Sequence, residues 1–383
     1  MQPAARIQTA IEIIDRIAMG EAAERALTNW ARGARYAGSK DRAAVRDLVF
    51  DVLRRWRSCA ALGGGETGRA RVLGLLRLQG IDLDTMFVGG RHAPEPLGAA
   101  DGAGRAPDGF EAWDVPDWIG ARFEASLGEQ AGATARALQG RASVFLRVNT
   151  LKSDVEGAIA ALDQDGVVAL PHGLSRTALA VMDGARQVAR STAFTDGLVE
   201  LQDAASQAVV DFLPLEPGMR VLDYCAGGGG KTLAMGARIP GTRIDVHDAD
   251  PKRMSDLAPR AARAGVPVQQ VGRPTGPYDL VFADAPCSGS GAWRRSPEGK
   301  WRLTPEALED LCRTQAEILQ TCAGLVAPGG VLAYATCSVL SEENAGQTQI
   351  FHEQNPGWKA LATRQFLPSD GGDGFFVACL RAP

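Results

Sequence analysis

The chain reads as an α/β protein: a doubly wound, Rossmann-like parallel sheet over residues 216–383, preceded by an all-helical region (1–140) and a small α+β subdomain (141–215). Three observations point there. From Gly218 onward short apolar runs alternate with helical stretches, the texture of parallel strands covered on both faces. The first 85 or so residues instead repeat apolar side chains at helical spacing. Between them, Val144-Phe145-Leu146-Arg147-Val148-Asn149 alternates as a strand does. At 383 residues the chain also exceeds one ordinary domain.

In chain order, Ile7, Ala10, Ile11, Ile14 and Ile17 mark a first helix. After Ser39, a residue suited to an N-cap, Val45, Leu48, Val49, Val52, Leu53 and Trp56 mark another. Arg42, Arg46, Arg54 and Arg57 flank or oppose that stripe as a basic rim, which is either a solvated face or an RNA contact. Residues 89–109 are rich in Gly, Ala and Pro without periodicity and read as a linker. Helix resumes from Pro116 to Gln139. Leu179–Val188 reads as strand and turn.

The C-terminal half predicts strands at Arg220–Tyr224, Arg243–His247, Asp279–Asp284, Val331–Ala335 and Phe375–Leu380. Helices are expected from Lys231, at Pro251–Ala264, Pro305–Val326 and Glu342–Gln354. No internal repeat is present.

Composition narrows the function classes. Apolar residues at 45% and charged residues at 22% exclude a disordered chain. No apolar run reaches the roughly 18 residues of a membrane span. Met1–Arg6 lacks the apolar core of an export signal, and seven scattered cysteines make no disulfide framework. The expected compartment is the cytoplasm. The net charge of −4 argues mildly against nucleic acid. Yet residues 32–57 carry eight basic side chains against three acidic ones, so the balance is uneven.

In a doubly wound sheet, ligands gather at the carboxyl ends of the strands. There the sequence places Asp223-Tyr224-Cys225-Ala226-Gly227-Gly228-Gly229-Gly230-Lys231-Thr232. Four consecutive glycines let a ligand approach the backbone and the following helix N-terminus. Asp248, ending the next strand, suits the two hydroxyls of a ribose. A phosphate-binding P-loop is excluded, because Cys225 stands where that motif needs its first glycine. Two further strands end in Asp284-Ala285-Pro286-Cys287-Ser288-Gly289-Ser290-Gly291 and in Ala335-Thr336-Cys337-Ser338. One such cysteine is ordinary core filler. Two at neighbouring strand ends, beside the glycine loop, point to chemistry.

These motifs together resemble the RNA cytosine-C5 methyltransferases of the NOL/NOP/Sun family, and within it the bacterial RsmB (Sun, Fmu) type acting on small-subunit 16S ribosomal RNA. The resemblance covers most of the chain. The helical N-terminus resembles a NusB-like RNA-binding domain. Leu146-Arg147-Val148-Asn149-Thr150-Leu151-Lys152 resembles the opening of the family's middle subdomain, and Gln202-Asp203 with Ser206-Gln207 the segment before the first catalytic strand. Two departures stand out. Gly227-Gly228 replaces the usual Ala-Pro, and Val271-Gly272-Arg273 stands where the family carries an acidic residue near the adenine.

The resemblance implies S-adenosylmethionine as cofactor, held by Asp223, Cys225, Ala226, Gly227, Gly228, Gly229, Gly230, Lys231, Asp248 and Asp284. It implies Cys337 as the nucleophile at cytosine C6, Cys287 as the thiol assisting release, and Asp284 on the N3/N4 edge of the base. RNA is the expected partner, with no metal or membrane and a monomeric state. The segment Trp293–Arg302 holds two tryptophans and four basic residues. Arg294, Arg295 and Lys300 are therefore expected to face RNA, together with Arg42 and Arg46. Two alternatives stay open: an RNA-binding assembly protein with lost catalysis, and a DNA cytosine-C5 methyltransferase.

Overall fold

A computed structural model describes residues 1–383, which divide into two compact units. The first comprises Met1–Arg141 together with Trp293–Arg302. Its core forms where the apolar spacing predicts it. Helix Pro3–Ala18 buries Ile7, Ala10, Ile11 and Ile14, and helix Ser39–Arg54 buries Val45, Val49, Val52 and Leu53. Helices Ala23–Gly33, Trp56–Gly63 and Gly68–Leu78 complete the cluster. Ser39 is not the cap. It is the first helical residue, and the Asp41 carboxylate accepts the Gly38 N–H instead, at 3.2 Å. The stretch expected as one helix over Pro116–Gln139 is two, Asp117–Leu127 and Ala131–Leu138, broken at Gly128, whose φ of 53° no helix accommodates.

The second unit comprises Ala142–Ala292 and Leu303–Pro383. It contains two sheets. Strands β1 (Phe145–Val148), β2 (Val168–Pro171), β3 (Ala178–Asp183) and β4 (Val199–Leu201) form an antiparallel sheet in the order β2-β3-β1-β4. Helix Val155–Gln164 covers one face, burying Ala158 and Leu162 against Leu146 and Val148.

The larger sheet contains β5 (Val221–Asp223), β6 (Ile244–Val246), β7 (Val268–Gln270), β8 (Tyr278–Asp284), β9 (Val326–Thr336), β10 (Lys359–Phe366) and β11 (Phe375–Arg381). Their order is β10-β11-β9-β8-β5-β6-β7. The five strands β5 to β9 pair in parallel, β5, β8 and β9 as buried apolar runs. Strand β11 runs antiparallel to both its neighbours, β9 and β10, so the sheet is mixed rather than uniformly parallel. The cause is the short return from Phe366 to Phe375, which is too brief for a crossover and leaves only reversal. Strand β10 escapes the sequence pattern because Lys359–Arg364 is exposed and carries no buried alternation.

The two sheets share one unit because β1 is stitched to the larger layer. The Asn149 amide donates to Gly197 O at 2.9 Å and to Ala264 O at 2.8 Å, the latter at the end of helix Leu257–Ala264. Arg147, fully buried, reaches Gly230 O at 2.6 Å. The carboxyl ends of β5, β6, β8 and β9 therefore converge under a fixed neighbour.

Candidate active site

Strand β5 ends at Asp223, and the chain turns through Tyr224–Gly229 into helix Gly230–Arg238. Two turn positions require glycine. Gly227 and Gly229 sit at φ 49° and 79°, and a Cβ on Gly229 would lie 2.0 Å from Leu257 Cδ1. The loop is pinned to β6: Ala226 N–H donates to His247 O at 2.9 Å, and Gly227 N–H to Asp248 Oδ2 at 2.9 Å. Asp248 is buried and also accepts from Asp250 N–H at 3.0 Å, with the Arg253 guanidinium 3.1 Å away.

Beneath the loop, Asp223 is sealed from solvent. Its Oδ2 accepts the Thr232 hydroxyl at 2.6 Å, whereas Oδ1 has no partner. Burial pushes its carboxyl up to about 7. Lys231 Nζ lies 2.6 Å from Asp284 Oδ2 and 4.8 Å from the centre of the Phe375 ring. Burial opposes the Lys231 charge, but the adjacent Asp284 outweighs it and holds the ammonium above its ordinary value. A cleft of about 220 Å³ opens here, walled by the glycine loop and by Asp223, Lys231, Asp284, Arg253 and Gln202.

Strands β8 and β9 are paired neighbours, Asp284 lying opposite Ala335. Their continuations bring Cys287 Sγ and Cys337 Sγ to 3.3 Å, both thiols half-buried and free. The Cys287 thiol is raised well above the usual range by its contact with Cys337, then by burial and by the charge of Glu343. Cys225, also in the loop, is pushed up by burial. Cys59, Cys322 and Cys379 are buried within helices or a strand.

The comparisons with known proteins agree with this geometry. Residues 210–381 match the family described as 16S rRNA methyltransferase RsmB/F, and residues 115–188 its ferredoxin-like domain. Over 290 residues the chain is 36% identical to ribosomal RNA small subunit methyltransferase B of Xylella fastidiosa, covering 70% of this chain and 67% of that one. The chain belongs to the RsmB/F family of ribosomal RNA methyltransferases. The similarity to the same-named protein of Serratia proteamaculans is 29% over 391 residues, with 89% and 90% of the two chains covered. Among solved structures, PH0851 shares the fold at a TM-score of 0.76, with 24% identity and 99% of each chain covered.

As an RsmB/F methyltransferase the chain uses S-adenosylmethionine, and the cleft fits it. The unpartnered, buried Asp223 Oδ1 is an acceptor placed for a cationic group. Gly227, Gly228 and Gly230 present side-chain-free backbone to the cleft, while Gly229 is demanded by its packing against Leu257. Asp248, just past the end of β6, is engaged by Gly227 N–H, Asp250 N–H and Arg253, and does not itself line the cleft. After β7, residues Val271-Gly272-Arg273 supply no acid for the adenine. No group of three or more His, Cys, Asp or Glu side chains is disposed to hold a metal, and no helix is long and apolar enough to cross a membrane.

The expected RNA-facing loop needs correction. Trp293–Arg302 packs within the helical unit of this family member. Trp293 is buried and stacks on Phe123, centroids 6.0 Å apart. Lys300 is fully buried, with Nζ donating to Arg54 O at 2.9 Å, and Trp301 Nε1 donates to Leu53 O at 2.7 Å. Arg294 is buried as well. Trp293, Arg294 and Lys300 are therefore buried with the helices, and the polar tips of Lys300 and Trp301 satisfy carbonyls left free at a helix end. Arg295 is exposed. Arg42 Nε donates to Ala37 O at 3.0 Å, and Arg46 is gripped by both oxygens of Glu24, at 2.7 and 2.5 Å.

Sequence reasoning missed two residues of the site. Arg147 holds both Gln202 Oε1 and Gly230 O, bracing the start of the cofactor helix. Glu343 is fully buried beneath the two cysteine loops. The resemblance of Leu146–Lys152 drew attention to the first. Nothing in Ser341-Glu342-Glu343-Asn344 separates the second from the half-buried Glu342 beside it before the chain is folded.

Proposed function

We propose that this chain methylates C5 of cytosine in 16S ribosomal RNA, through a covalent bond between Cys337 and cytosine C6. The observation that carries the reading is the pair of thiols 3.3 Å apart just past the ends of β8 and β9, with an ion pair between Asp284, the last residue of β8, and Lys231 in the first turn of helix Gly230–Arg238. Cytosine C5 is too weak a nucleophile to take a methyl group from a sulfonium unaided. Addition of the Cys337 thiolate to C6 makes C5 an enamine carbon able to attack. Asp284 accepts from the exocyclic amine and so orients the ring, while the Lys231 ammonium paired with it supplies positive charge beside the site. Bound S-adenosylmethionine supplies the methyl group. The proton then leaves C5, the C6–Sγ bond breaks, and the electron pair returns to Cys337 as the ring regains aromaticity. Cys287 assists that release. C6 is unreachable inside a duplex, so the target cytosine is unpaired or flipped outward.

Substitution of each cysteine tests the assignment. Cys337→Ala should abolish 5-methylcytosine in 16S RNA read by bisulfite sequencing. Cys287→Ala should accumulate a protein–RNA adduct that migrates slowly on a denaturing gel. Interchanged outcomes assign the two roles the other way round, and methylation of DNA in preference to RNA overturns the substrate.

A further inference from the structure

Beyond their paired strands, the loops that carry Cys287 and Cys337 leave the ladder, and their thiols sit 3.3 Å apart. Gly291 N–H donates to Cys337 O at 3.0 Å and Val339 N–H to the Ser290 hydroxyl at 2.9 Å, and one buried acid joins the two loops as well. Glu343, in the turn Ser341–Glu343 that follows β9, is completely buried. Its Oε1 accepts Ser288 N–H at 2.7 Å and the Gln315 amide at 3.1 Å. Its Oε2 accepts the hydroxyls of Ser288 and Ser338, both at 2.5 Å. Ser288 directly follows Cys287, and Ser338 directly follows Cys337.

We propose that Glu343 is a positioning residue for the two-cysteine site, clamping both loops so that the two thiols meet the same pyrimidine. The inference rests on the cytosine-methylation reading for its function, though its geometry stands apart from it. A carboxylate has about four acceptor positions, and here four neutral donors fill them. Burying a charge is costly, so a fully buried acid held by neutral donors has to secure a specific arrangement in return. The clamp is itself braced: Tyr334 OH donates to Glu343 O at 2.7 Å, and the same Gln315 amide also donates to Pro286 O at 2.9 Å. The charge of Glu343 also contributes to the raised Cys287 thiol.

The test compares Glu343→Gln with Glu343→Ala in the full chain. Glutamine keeps one acceptor oxygen, and its amide can donate to the two serine hydroxyls, which rotate to accept. Methylation by Glu343→Gln should stay within about tenfold of wild type, while Glu343→Ala should fall by about a hundredfold or more. The geometric readout is bridging of Cys287 to Cys337 by dibromobimane, located by peptide mapping. It should slow about tenfold in Glu343→Ala, with S-adenosylmethionine affinity within threefold of wild type. Unchanged bridging overturns the proposal. So does equal loss of bridging and cofactor affinity, which marks a general collapse. If Glu343→Ala does not fold, Ser338→Ala carries the same readouts through one lost contact. Were wild type itself inactive on cytosine, the bridging difference would still report the clamp, so the two readings fail separately.

Discussion

Asp223 couples stability to cofactor binding, and pH separates the two. Its carboxyl is sealed, with one oxygen unpartnered, and burial raises it from 3.8 to about 7. Asp284 and Asp248 add to the rise, while Thr232 and Lys231 oppose it. Three pH units at about 1.4 kcal/mol each make a cost of ~4 kcal/mol once the group is ionised, part of which relaxation and water entry return. Below pH 3.8 both the folded and the unfolded chain hold the proton. Between 3.8 and 7 the unfolded chain releases it first, so the unfolded state binds fewer protons and stability falls as pH rises. Above about 7 the penalty is complete. Asp223→Asn removes it. With about half of the cost retained, the variant should melt roughly 4–8 °C above wild type at pH 8, at roughly 2–4 °C per kcal/mol, and near wild type at pH 4. If Asp223 answers the cofactor's positive charge, the same variant should bind S-adenosylmethionine about tenfold or more weakly at pH 8, having lost that anion. Scanning and titration calorimetry measure the two effects. A melting difference that is flat with pH, or an unchanged affinity, would refute the reasoning.

Gly229→Ala should abolish measurable cofactor binding. Its Cβ would meet the buried Leu257 at 2.0 Å, in a backbone conformation that costs an L-residue about 1–2 kcal/mol. Gly228→Ala, whose Cβ meets only the Arg260 guanidinium at 3.0 Å, should bind within threefold of wild type by titration calorimetry. Lys300→Met should leave RNA affinity within twofold in a filter-binding assay. Burial lowers the Lys300 amine from 10.5 to about 7, so wild-type stability rises with pH between those values as the unfolded chain sheds its extra proton. In Lys300→Met that rise should disappear from the melting curves. A tenfold loss of RNA affinity would return Lys300 to the RNA-facing surface.

Much of this site was legible because its chemistry is local. The glycine run, Asp248 at a strand end and two small-flanked cysteines lie within short stretches, each next to the strand that delivers it. The basic segment Trp293–Arg302 was misread for a related reason. Its composition suits an RNA groove and a helix-docking plug equally, because arginine, lysine and tryptophan each join an apolar body to a polar tip. Only the carbonyls offered by Leu53 and Arg54 decide between them.

By itself the sequence determined the strands β5, β6, β8 and β9, the glycine turn, and the aspartate and cysteine motifs at their ends; the short, exposed β7 escaped it. Apolar periodicity and backbone sterics act over a few residues, and those can be read in order. Tertiary structure alone decided the reversed β10–β11 edge, the partnerless oxygen of Asp223, the brace from Arg147 and the clamp of Glu343. Each depends on which distant groups share a space without water. Burial turns an ordinary carboxylate into a partly protonated one or into a fourfold acceptor, and no local pattern encodes burial.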